Sequence, residues 1–137
     1  MWDERCGSLP VLDRLGNVAS MITVRDICIT LGTRNLRASE LQVQNVSLPR
    51  VFNCRAKEDV LVALQTMTSQ NVRRLPVVDD HGKLTGILSI DDLLLQSDRR
   101  PSESGLSDKD VVNAVKVILK SRSRGSVHEP GELVAIE

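Results

Sequence analysis

The chain has 137 residues, 41% hydrophobic and 26% charged, the composition of a soluble globular protein rather than of a disordered one. Eighteen basic residues balance eighteen acidic ones, and Trp2 and Phe52 are the only aromatic residues, so neither broad electrostatic attraction nor a base-stacking platform favours nucleic acid. No apolar run approaches the roughly 20 residues that cross a bilayer, and Met1 to Arg5 holds no apolar signal core, so a cytoplasmic protein with no membrane partner is expected.

In chain order, Leu9 to Leu12 predicts a short strand, Asp13 to Gly16 a turn, Val18 to Ile22 a second strand, and Thr23 the start of a helix. Gly32 to Leu41 shifts to polar, loop-forming residues and reads as a connector ending near Pro49. Val51 to Cys54 is a further strand candidate. From Glu58 to Met67, Val60, Ala63, Leu64 and Met67 recur at helical spacing, which predicts an amphipathic helix. Leu75 to Val78, a turn at Asp79 to Gly82, Leu84 to Leu88 and a helix from Ser89 follow. Ser97 to Gly105 reads as a linker. Ser107 opens a helix whose apolar face is Val111, Val112, Val115, Ile118 and Leu119, and Ser121 onward reads as a flexible tail.

One stretch occurs twice. Residues 9–29 and 75–95 align at a constant offset of 66, with identity at Leu9/Leu75, Pro10/Pro76, Val11/Val77, Asp13/Asp79, Gly16/Gly82 and Asp26/Asp92. A repeat of this size means one supersecondary unit used twice, and two halves of roughly 60 residues, marginal alone, favour a shared core. The complete unit is β-α-β-β-α. Only Met1 to Arg5 precede the first copy, so that copy is expected to lack its first strand and most of its first helix.

These residues resemble the cystathionine β-synthase (CBS) domain, a module that works in tandem pairs. The resemblance rests on Leu-Pro-Val-x-Asp, the glycine-bearing turn, the apolar strand after it, and the Thr/Ser-x-x-Asp that opens the last helix. It covers residues 46 to 97 as an essentially complete domain and residues 1 to 32 as the later part of another, in the manner of bacterial stand-alone pairs. The implied fold is α/β, a tandem CBS pair with pseudo-twofold symmetry, an incomplete first unit and an added C-terminal helix. The expected organisation is a partial first domain with connector over 1–45, a second domain over 46–98, and linker, helix (about 107–120) and tail over 99–137.

What the resemblance implies about function is regulation: AMP, ADP, ATP or S-adenosylmethionine bound in the cleft between CBS units, in a module that often dimerises and controls a partner protein. Thr23 with Asp26, and Ser89 with Asp92, are the sharpest candidates. A hydroxyl at a helix start caps backbone N–H groups beside the positive end of the dipole, where phosphate is favoured. The carboxylate three residues on can accept both hydroxyls of a ribose. In the family the adenine base lies against the domain's first strand and the loop after it, here Val51 to Ala56, which brings in Val51 and Asn53. Arg25 and Arg74, with Arg73 and Lys57 behind them, are basic candidates for a phosphate, whereas Asp91 repels one.

A capping box that merely stabilises a helix start has the same spacing. Ser107 and Asp110 repeat it after a linker instead of a strand, so there it reads as a cap alone. Cys6, Cys28 and Cys54 are expected to stay reduced and to behave as small hydrophobes. With His81 and His128 they complete no metal-ligand spacing. No paired acids with a nucleophile, Cys/His couple or phosphate loop emerges, so the chain reads as no enzyme, without cofactor or metal. The competing expectation is a structural dimerisation module whose clefts stay empty. A nucleic-acid role rests only on Lys120 to Arg124 and ranks last.

Overall fold

The computed structural model describes residues 6–46, 51–97 and 105–124. They fall into two compact units, one running to Glu58 and including Leu75–Leu88, the other comprising Asp59–Arg74 and the chain from Ser89 onward.

The first unit holds the strands. In copy one, β1 (Ser8–Leu12) pairs antiparallel with β2 (Val18–Thr23), in a register that sets Leu9 opposite Ile22 and Ser8 opposite Thr23. The turn between them is built by one side chain: the Asp13 carboxylate accepts hydrogen bonds from the backbone N–H groups of Leu15 (2.8 Å) and Asn17 (2.9 Å). Gly16 then takes φ 80°, where an L side chain is strained. Copy two repeats this atom for atom. Between β4 (Arg74–Val78) and β5 (Leu84–Ser89), the Asp79 carboxylate accepts from His81 N (2.9 Å) and Lys83 N (2.8 Å), and Gly82 takes φ 79°. Hydrogen bonds to these carboxylates, first from the backbone of Asn17 and of Lys83 respectively, hold both below the ordinary aspartate range.

The two turns also meet. Asn17 and Lys83 form an antiparallel bridge, and Lys83 Nζ donates to Asn17 Oδ1 (3.0 Å) and to the Leu15 carbonyl. Asn17 and Lys83 occupy the same position in the two copies, so the repeat touches itself at its own equivalent residue.

Strand β3 is shorter than the sequence suggests. Only Cys54–Arg55 pairs, parallel to β4, with Cys54 opposite Val77, while Val51 to Asn53 are irregular. The next rung would fall on Pro76, which has no N–H to donate, so the ladder stops there. Cys54 is buried, and desolvation pushes its thiol up from the ordinary range. Helix α1 (Val24–Arg34) runs through Gly32 into the stretch expected to be connector and ends at Asn35 with φ 51°. A 3-10 turn (Ala38–Glu40) and α2 (Val43–Val46) follow, so the connector has more regular structure than its polar composition implies.

The second unit is helical. Asp59 caps α3 (Val60–Gln70) by accepting from Leu61 N (2.9 Å), and Ala63, Leu64 and Met67 are its buried stripe, as the periodicity predicts. Helix α4 (Ile90–Ser97) buries Ile90 and Leu93, and α5 (Asp108–Arg124) packs on both α3 and α4. Here the expected face is corrected. Val111, Ala114 and Ile118 are buried, whereas Val112 and Leu119 are 39% and 52% exposed. The spacing 111, 114, 118 follows one line of a 3.6-residue helix, with the small Ala114 at its centre. The helix also continues to Arg124, into the segment expected to be tail; the remainder of that tail and most of the linker lie outside the described residues.

Two stability measurements follow. Gly82→Ala should lower the unfolding free energy by about 1 to 2 kcal/mol in urea melts, because the added Cβ meets only Asn17 Oδ1 at 4.0 Å and the penalty is the left-handed backbone itself. Carboxylates held low stabilise the fold fully above their ordinary value, near pH 4, and lose that contribution as pH falls through their lowered folded values. The melting temperature of an Asp13→Asn, Asp79→Asn double variant should therefore start lower at pH 7 and fall less than the parent's on acidification.

Candidate functional site

Each copy ends its second strand on a residue that is also a helix cap. Thr23, the last residue of β2, has extended backbone geometry (φ −118°, ψ 156°) and its Oγ1 accepts from Asp26 N at 3.1 Å. In return, Asp26 Oδ2 accepts from Thr23 Oγ1 (2.6 Å) and Thr23 N (3.1 Å). Ser89, the last residue of β5, repeats the pattern with Asp92: 3.1 Å for Asp92 N to Oγ, and 2.6 and 2.9 Å for Oγ and N to Asp92 Oδ2. Only one oxygen of each carboxylate is used, and Oδ1 of Asp26 and of Asp92 takes no hydrogen bond among the described residues.

The first amide of each helix is tied in the same way. Val24 N donates to the Gly7 carbonyl (3.1 Å) and Ile90 N to the Arg73 carbonyl (2.9 Å), again 66 residues apart. Strand, cap and helix start are thus locked together, and each carboxylate keeps one acceptor oxygen that its own box does not use. Ser89 is 9% exposed, so its hydroxyl is held in a largely dry setting where hydrogen bonds gain strength.

The third box is a control within the molecule. Ser107 Oγ accepts from Asp110 N at 3.3 Å, while Ser107 Oγ and N donate to Asp110 Oδ2 at 2.5 and 3.2 Å, and these two donated bonds hold the Asp110 carboxyl below its ordinary range. Bond lengths alone therefore do not separate a site from a cap. Context does: Ser107 is exposed, and the described residues just before it, Gly105 and Leu106, lie in no strand.

The charged candidates differ between the copies. Arg25 is exposed on the first turn of α1. Its counterpart Asp91 pairs with Arg73 at 3.3 Å, both side chains about half exposed, so the pair contributes well under a full buried salt bridge and leaves Arg73 able to change partner. Arg74 opens β4 and is exposed. Lys57 is drawn to Asp80 (2.9 Å) on the surface. Val51 is half-buried and Asn53 exposed on the irregular approach to β3. So each hydroxyl and its acid are brought together directly, while Val51 and Asn53 belong to the strand-bearing unit and Arg74 to the helical one.

Ser8 went unnoticed in the sequence. It is 6% exposed, its Oγ has no hydrogen-bond partner among the described residues, and its register with Thr23 sets both side chains on one face of the hairpin beside the α1 cap. A buried hydroxyl left unpaired is costly. The signal was the offset: Ser8 is the counterpart of Arg74. Among the described residues there is no group of three His, Cys, Asp or Glu placed to hold a metal ion, and no helix long and apolar enough to cross a membrane.

The family model for the CBS domain matches residues 43–98. With two strand-turn-strand-helix copies that share their turn and cap geometry, this identifies the chain as a member of the CBS domain family, with the mixed α/β fold of CBS domain pairs. It is 29% identical over 94 residues to the Methanopyrus kandleri protein MK0525, covering 69% of this chain and 48% of that one, so the chain spans about half the length of such relatives. Among solved structures it is similar to the CBS domain protein PAE2072 from Pyrobaculum aerophilum complexed with AMP, at TM-score 0.60 and 26% identity over 67% of this chain and 70% of that one. The CBS domain pair of MJ0100 in complex with 5-methylthioadenosine and S-adenosyl-L-methionine has TM-score 0.59 at 23% identity, covering 69% and 73%.

As caps, the hydroxyls should count in stability. Ser89→Ala is expected to cost about 1 to 2 kcal/mol in denaturant melts and the exposed Ser107→Ala less, since a cap is worth more where water cannot replace it.

Proposed function

We propose that this chain is a regulatory module that binds an adenosine-containing ligand, AMP, ADP, ATP or S-adenosylmethionine, at the strand-to-helix junctions of its repeat. Ser89 and Asp92 form the principal contact, with Thr23 and Asp26 as the second. The observation that carries this reading is the spare acceptor oxygen on each capping carboxylate, held rigidly at the end of a strand and beside the positive end of a helix. A ribose diol would donate to that oxygen, and Arg74 or Arg25 would balance a phosphate. Ser8 adds an unpaired buried hydroxyl at the first junction. Support also comes from the similar structures, whose bound molecules are AMP, 5-methylthioadenosine and S-adenosylmethionine. Val51 and Asn53 are the candidates for the base. On this reading the 46–98 segment is the main ligand domain, and the module works as a homodimer that biases a regulated partner by having different ligand affinity in two arrangements.

A second reading is an interaction module that needs no ligand. It is favoured by α1, none of whose residues is buried: Val24 is 45% and Ile29 51% exposed. Such a face is suited to a protein contact.

Calorimetry decides between them. Saturable heat is expected with at least one of AMP, ADP, ATP and S-adenosylmethionine, and Asp92→Ala should weaken that binding by tenfold or more, in line with about 1.4 kcal/mol per decade and a lost charge-assisted hydrogen bond. Folded protein that gives no heat with any of the four, and an oligomer indifferent to them by sedimentation, would establish the second reading instead.

A further inference from the structure

In the helical unit, α5 rests on the residues that shape the N-terminal end of α4. A small cavity of about 90 Å³ is lined by Arg73 and Ile90 on one side and by Val115, Ile118 and Leu119 of α5 on the other. Ile90 is the first residue of α4, follows the cap Ser89 directly, and donates its N–H to the Arg73 carbonyl. The Arg73 guanidinium reaches Asp91 at 3.3 Å. One arginine thus borders both the charged mouth of α4 and the seat of α5.

That seat is incompletely filled. Besides the cavity at Arg73, a shallow groove of about 330 Å³, open to solvent, runs along the α3–α5 seam beside Leu61, Leu64, Thr68, Ala114 and Val117. Atoms that border an unfilled cavity lack dispersion partners on that side, so α5 is held less firmly beside Arg73 than its buried stripe suggests. The repeat shows what is at stake. Ile90 and Leu93 of α4, on which α5 packs, are each 2% exposed, whereas the counterpart of Ile90 on α1, Val24, is 45% exposed.

Resting on the ligand-binding reading above, we propose that α5 is the output element of the Ser89–Asp92 site, its docking on α4 shifted by a ligand through Arg73 and Ile90. An anionic group at the α4 end competes with Asp91 for Arg73. A neutral one crowds the same mouth and bears on Ile90. Either event moves a wall of the cavity beneath Val115 and Ile118. Linkage makes the effect reciprocal: the factor by which ligand alters α5 docking is the factor by which α5 docking alters ligand affinity.

The test uses the full chain with AMP and with S-adenosylmethionine as probes. Amide hydrogen exchange over residues 111–121 should change by about tenfold at saturation, within the usual range of such couplings. Calorimetric affinity should shift by a comparable factor in Ile118→Asp, which detaches α5, and in the same sense but less in Val115→Ala, which only enlarges the cavity and keeps the fold if the first variant does not. Saturable heat with unchanged exchange over 111–121, or wild-type affinity in both variants, overturns the proposal, and so does a shift in one readout without the other. Absence of heat with either probe, on folded protein, defeats the ligand reading itself and this proposal with it.

Discussion

The structure depends on an aspartate placed at the end of a strand. At Asp13 and at Asp79 a single carboxylate gathers two backbone N–H groups of the following turn, frees the chain to reverse at a glycine, and sends the next strand back beside the first. Both candidate Ser/Thr-x-x-Asp junctions sit downstream of that reversal. The returning strand ends on a hydroxyl, the hydroxyl caps a helix, and the helix start presents a carboxylate. A carboxylate in the turn thereby sets where a carboxylate in the site lies. The contact of Asn17 with Lys83 adds a constraint of its own, because a repeat that meets itself at equivalent positions cannot change that residue in one copy without changing the environment of the other.

The three Ser/Thr-x-x-Asp boxes separate two properties that sequence patterns run together. All three have the same bond pattern and nearly the same distances, so capping is common to them. What differs is delivery. Thr23 and Ser89 arrive on β2 and β5, and in each copy the first helical amide is hydrogen-bonded to the residue just before the other strand of the hairpin, which leaves the junction little freedom. Preorganisation of that kind is what a ligand contact gains from, since the ordering entropy is already spent in folding. Ser107 follows Gly105 and Leu106, which lie in no strand, and offers a helix start only.

Most of the fold could be read from the chain, for physical reasons that are easy to name. The turns were legible because Asp and Gly stand where side-chain acceptors and positive φ are required, and α3 because Val60, Ala63, Leu64 and Met67 keep helical spacing. The candidate junctions were legible from the offset of the repeat. What escaped was decided by non-local partners. The length of β3 depends on Pro76, far along the chain, which cannot donate to it. The buried face of α5 turned on a small residue, Ala114, that hydrophobicity ranks below Val112 or Leu119. Ser8 looks like an ordinary strand serine until its register with Thr23 is known.

The three thiols also stand in different worlds. Cys54 lies buried beneath the β3–β4 rung, and its raised pKa keeps it protonated and slow to react, whereas Cys28 is exposed on the α1 helix. A maleimide or nitroxide reagent at neutral pH would thus find Cys28 long before Cys54. The chain carries a native attachment point for a fluorophore or spin label on α1, two residues beyond Asp26, where a reporter can follow the first junction without any substitution in the core.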